Sequence, residues 1–153
     1  MVKYQEIFDV EITSKQNLSP EEAVAAIVMV AVYANGQPSE EESEEAINII
    51  NTQDIFDSYS VDEFQKMIDK ITKFLNEEGI GVLFRTAVES IKRTDDLAEI
   101  SFQAVAEMVL VDQKIDEDEE SFLSQLAEAL DISEDVAQDM IDELIDEEEE
   151  AFS

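Results

Sequence analysis

"VDQKIDEDEESFLSQL", residues Val111 to Leu126, begins at the end of one apolar run and finishes inside another. Between the two lie Asp112, Asp116, Glu117, Asp118, Glu119 and Glu120. Carboxylates crowded in this way repel: a pair about 4 Å apart costs roughly 4 kcal/mol at an effective dielectric near 20. The acids either cap a helix, hold a divalent cation, or belong to a motif repeated elsewhere in the chain. Capping accounts for Asp116 as N-cap and for Glu119 as its partner three residues on. The first-turn acids Glu117 and Asp118 suit the positive end of a helix dipole. Asp112 is the residue that capping explains least. It closes the preceding helix, where the dipole disfavours a negative charge. Lys114, a proton or a metal ion would offset it.

The gap has an upstream counterpart. "AVYANGQPSEEESEEAINII" (Ala31–Ile50) aligns without a break on "MVLVDQKIDEDEESFLSQLA" (Met108–Ala127). Asn35 falls on Asp112, Gly36 on Gln113, Pro38 on Ile115, Ser39 on Asp116 and Glu42 on Glu119. Each copy enters on an apolar helix and leaves on an amphipathic one. The chain therefore reads as two helix–turn–helix units around a middle helix pair. A connection of this length folds two helices into an antiparallel hairpin. If the two hairpins pack about a pseudo-two-fold, the oxygen ligands of both turns converge.

Capping signals place the other helices. Ser19-Pro20 with Glu22, Ser39 with Glu42, and Ser60 with Glu63 each mark an N-terminus. Helical spacing predicts core faces of Val24, Ile27, Val28, Ala31 and Ala34; of Ala46, Ile47 and Ile50; and of Val61, Phe64, Ile68, Ile71 and Leu75. Past Gly79 the faces are Leu83, Phe84, Ala87, Val88 and Ile91, then Leu97, Ile100, Ala104, Val105, Met108 and Val111. The last two are Phe122, Leu123, Leu126 and Leu130, and Val136, Met140, Ile141 and Leu144. No segment has strand composition between hairpin turns. The expectation is an all-α single domain of seven to eight helices over residues 19–147. An arm precedes it at 1–18, and an acidic tail follows at 148–153, frayed because its acids oppose the dipole.

Charge bounds the function. The chain has 153 residues, 40 acids, 9 bases and a formal net charge of −31. That surface repels nucleic-acid backbones and anionic membranes and attracts cations and basic proteins. There is no Cys and no His. Thiolate zinc sites, disulfides and Ser–His or Cys–His catalysis are thereby excluded. A metal would be held by oxygen, which suits Ca²⁺, Mg²⁺ or Mn²⁺. With no signal peptide in "MVKYQEIFDVEI" and no apolar run of spanning length, a cytoplasmic protein without membrane insertion is expected. The charge is uneven. Lys66 to Arg93 holds six bases against four acids, a net of +2, while the remainder holds three bases against 36 acids, a net of −33. Lys66, Lys70 and Lys73 share one helix face, either to relieve self-repulsion or to dock an acidic partner.

The acidic gap is not an EF-hand. Counting from Asp112, position three is Lys114, position six Glu117 and position twelve Leu123, and none fits that loop. The two repeats instead resemble the TerB tellurite-resistance family, whose units run alanine-rich helix, Asp-Gly, an apolar residue, Glu, helix. The resemblance covers about residues 19–147. It implies a compact all-α domain with an acidic metal site, in proteins tied to tellurite and chemical stress, and no established enzymatic reaction. Carried over, the metal-site candidates are Asn35 and Glu42 in the first unit and Asp112, Asp116 and Glu119 in the second. Asn35 and Gln113 depart from the family pattern. The first replaces a carboxylate by an amide. The second replaces a glycine suited to a left-handed turn. Tellurite is an oxyanion, and a chain of this charge without thiol or imidazole has little to hold it with, so any role in resistance is expected to run through a cation or a stress-response partner protein. The competing reading is a metal-free acidic scaffold that docks basic partners. An enzyme is disfavoured: carboxylate catalysis needs a deep cleft, and di-metal bundle sites need Glu-x-x-His.

Overall fold

Three helices start on reciprocal Ser-x-x-Glu boxes, each worth about 1 kcal/mol. Glu22 N–H donates to Ser19 Oγ at 3.2 Å, and Ser19 N–H donates back to Glu22 Oε1 at 2.8 Å. The Ser39–Glu42 pair closes at 3.1 and 3.0 Å, and the Ser60–Glu63 pair at 3.1 and 3.2 Å. A computed structural model of the chain describes residues 18–34, 38–91, 95–110 and 117–151, with side chains for all of these except 95, 109–110, 117–120 and 145–151.

Among the described residues the chain is all helical. The elements are α1 (Pro20–Tyr33), α2 (Glu40–Asn51), a 3₁₀ turn (Asp54–Phe56), α3 (Val61–Glu78), α4 (Ile80–Ile91), α5 (Asp95–Leu110), α6 (Glu117–Ala129) and α7 (Glu134–Ala151). The expected arm lies outside the described residues apart from Leu18. The backbone of α7 stays helical to Ala151, past the start of the expected tail. Glutamate is a good helix former even where the dipole opposes it.

The internal repeat governs the helix boundaries. α1 ends at Tyr33 and α5 at Leu110, while α2 begins at Glu40 and α6 at Glu117. Both pairs differ by 77 residues, so six residues separate the two helices in each copy (34–39 and 111–116). The packing departs from a two-fold. α2 packs on α5, but no comparable α6–α1 contact occurs among the described residues. α6 packs on α7, whereas α2 and α3, held apart by the 3₁₀ turn, make no such pair. There the rings of Tyr59 and Phe64 meet Phe56 edge-on at 5.3 and 5.9 Å.

α1 is the central element. Ala23 to Val30 are all buried, whichever way they face. A stripe of core residues predicts one buried side, but a helix that is apolar all round sits inside the bundle. Its closest packing is against α4, then α5 and α2, with α3 also in contact. Ala23, Ala25 and Ala26 are small enough to let those neighbours approach. Fully buried Ile27, Phe74, Phe84, Phe102 and Leu126 fill the space between helices, each worth about 1.5–3 kcal/mol of transfer free energy.

Two stripes shift from expectation. Val61, predicted as core, is 87% exposed. It is the first residue of α3, six residues before the helix's first buried side chain, Met67, which Ile68, Ile71 and Phe74 follow. Val136 is likewise 39% exposed, and α7 turns Ala137 inward in its place, beside the expected Leu144. α3 ends at Gly79, whose φ of 94° an L side chain rarely adopts. One glycine thus separates α3 from α4.

Candidate functional site

The acidic turns are described only in part. Asn35, Asp112 and Asp116 lie outside the described residues, and so does the side chain of Glu119. Glu42 is described. It sits exposed in the first turn of α2, and its carboxylate accepts the Ser39 N–H at 3.0 Å. Its observed partner is thus a cap. Among the described residues no group of three or more acids is placed to hold a metal ion. Of the five candidates, Glu42 alone has its side chain within that set.

The lysine face is engaged within the fold. Lys70 Nζ lies 2.9 Å from Glu22 Oε1 and 3.0 Å from Oε2, joining α3 to the start of α1. Lys73 pairs with Glu77 at 3.9 Å along the exposed side of α3. Burial works to raise the Glu22 carboxyl, but the Ser19 N–H and the Lys70 ammonium outweigh it and hold the group below its ordinary value. Burial, with Glu21, Glu22 and Glu63 nearby, pushes the Tyr59 hydroxyl up. Lys70 and Lys73 thus each offset an acid of the chain itself.

A second feature was not foreseen. α6 and α7 enclose a cleft of about 530 Å³ with Phe102 of α5 at its base. Leu123 and Ala127 line it from α6, Ala137 and Ile141 from α7. Glu128, Glu134 and Asp135 stand on its rim, all exposed. The cleft follows from the topology: α6 and α7 pack on α5 and on each other, with no comparable contact to α1–α4 among the described residues. A hairpin at the edge of a bundle keeps an open seam. The turn between them is a Schellman motif. Ile132 N–H donates to the Ala127 carbonyl at 2.8 Å and Asp131 N–H to the Glu128 carbonyl at 3.1 Å, with Asp131 at φ 61°.

Charge sets this hairpin apart. From Ile115 to Ser153 the sequence holds 17 acids and no Lys or Arg. Every acid of the α6–α7 hairpin with a described side chain is exposed: Glu128 in α6, Asp131 in the turn, and Glu134, Asp135, Asp139, Asp142 and Glu143 in α7. The signal was present in the sequence as a run without bases, but the cleft depends on how two helices sit together, which periodicity does not reveal.

No protein-family model matches the chain, and no curated protein or solved structure matches it either. Among the described residues no helix is long and apolar enough to cross a membrane.

Proposed function

We propose that this chain is a cytoplasmic, non-enzymatic acidic module that docks basic surfaces of partner proteins. The observation that carries the reading is the α6–α7 hairpin, where seven described acids face solvent and the sequence from Ile115 to Ser153 supplies no Lys or Arg. Elsewhere the chain offsets its own charge, as Lys70 does for Glu22. A one-signed surface speeds encounter with oppositely charged partners and rejects like-charged ones. The test is a titration of the whole protein with a Lys-rich peptide over a series of salt concentrations. Affinity falls steeply as salt rises if the reading holds. Affinity indifferent to salt, or none at all, rejects it.

A second reading follows the TerB resemblance: a tellurite- and stress-response module that binds Ca²⁺, Mn²⁺ or Mg²⁺ through Asp112, Asp116 and Glu119, aided by Asn35 and Glu42. The matched helix boundaries favour it, since six residues separate the helices of each repeat. Thermal melts in chelator and in each cation, at constant ionic strength, test it. One cation stabilising wild type but not Asp112→Asn supports the site. Divalent cations that act alike on both proteins exclude it.

A further inference from the structure

We infer that the α6–α7 hairpin is a flap worked by ionic strength: it lifts off α5 as one unit where its charge is unscreened, and seats where counterions screen it. The topology gives it a place to part. α5 is held from its other side by α1 and α2, whereas α6 and α7 rest on α5 and on each other, with no comparable contact to α1–α4 among the described residues. The hairpin can therefore leave while α1 keeps its surroundings. The seam is apolar inside and like-charged outside. Phe102 of α5, Leu123 of α6 and Ala137 and Leu144 of α7 are buried and hold it shut. On its outer edge Glu99 of α5 and Asp131 of the hairpin turn line one crevice of about 300 Å³, and both are exposed. Along α7, exposed Asp135, Asp139 and Glu143 succeed one another at i,i+4, where like charges repel. Sequence supplies little to offset this. α5 has no Lys or Arg, and from Thr94 to Ser153 the single base Lys114 stands against 22 acids. The lengths decide when repulsion wins. The 18 residues of α7 span ~27 Å. The screening length is about 8 Å at 0.15 M salt and roughly 30 Å at 0.01 M. At the lower value each acid of the hairpin acts on all the others and on those of α5. The flap needs no partner, so it stands or falls separately from the acidic-module reading.

The test is native-state hydrogen exchange of the full chain, in chelator, at about 0.01 M and about 0.15 M monovalent salt. At low salt the amides of α6 and α7 are expected to exchange together, about tenfold or more ahead of those of α1 and α4, and the higher salt should slow them about tenfold. Glu99→Lys sets a cation across the crevice from Asp131 and should slow the hairpin about fivefold at low salt. Asp131→Asn suits the left-handed turn and removes the charge from the other side, so it should slow the hairpin too. Asp57→Lys makes the same charge change as Glu99→Lys at an exposed position between α2 and α3, and should alter the hairpin by less than about twofold. Amides of α6 and α7 that exchange no faster than those of α1 and α4, or at a rate that salt leaves unchanged, overturn the flap. So does equal slowing by Glu99→Lys and Asp57→Lys, which assigns the effect to net charge and not to the seam.

Discussion

Glu22 Oε1 accepts the Ser19 N–H at 2.8 Å and lies 2.9 Å from Lys70 Nζ. One carboxylate thus caps the central helix α1 and ties it to α3. The Lys70 side chain is 45% exposed, and its access to solvent discounts the charge component. Glu22→Gln preserves the capping geometry and removes the charge, so it is expected to cost about 0.5–1 kcal/mol at neutral pH. Lys70→Met should cost a similar amount, and the double variant less than the sum. The pH dependence has a definite sign. Because the native carboxyl is held below its ordinary value of 4.5, its contribution is present above that value and fades as pH falls through the lowered one. Denaturation of wild type and Glu22→Gln at neutral and acid pH checks this; a penalty that grows in acid would contradict it.

Asp131 occupies the left-handed position of the Schellman turn, where glycine is usual. Its charge also sits at the C-terminus of α6, against the dipole. Asp131→Gly is expected to stabilise the protein by about 0.5–1 kcal/mol. Asp131→Ala keeps the steric cost and should yield less. Chemical denaturation midpoints rank the three proteins.

Thr86 is a buried polar residue on α4, and its hydroxyl has no hydrogen-bond partner among the described residues. Ser101, also buried, donates to the Leu97 carbonyl at 2.8 Å. The contrast predicts opposite responses. Thr86→Val removes an uncompensated hydroxyl at nearly constant shape and should raise stability by about 1 kcal/mol. Ser101→Ala removes a satisfied one and should lower it or leave it unchanged. Equal losses for both would show that Thr86 is bonded in solution.

Much of the fold was legible in the sequence because its signals are local. Capping boxes at Ser19, Ser39 and Ser60 placed three helix starts, and the unbroken repeat matches the equal spacing of the helix ends in its two copies. The stripes on α4 and α6 were read correctly: Leu83, Phe84, Ala87, Val88 and Ile91 are buried, as are Phe122, Leu123, Leu126 and Leu130. What was missed depends on tertiary position. Val61 has the right spacing but precedes the turn at which α3 reaches the core. α1 shows a stripe of large residues, yet its alanines are buried too, because helices surround it. The cleft is a product of α6 lying beside α7, and neither helix declares it alone. Of the proposed metal ligands only Glu42 has a described side chain, and there the observed bond is the cap to Ser39.

The central claim is that the acidic surface acts by docking a basic partner without a metal ion. The most direct measurement is the affinity of a Lys-rich peptide for the whole protein, taken in chelator and again with Ca²⁺ at matched ionic strength. The account predicts equal affinities in the two buffers and a steep loss in both as salt is raised. Binding that appears only with Ca²⁺, or that salt leaves untouched, would contradict it.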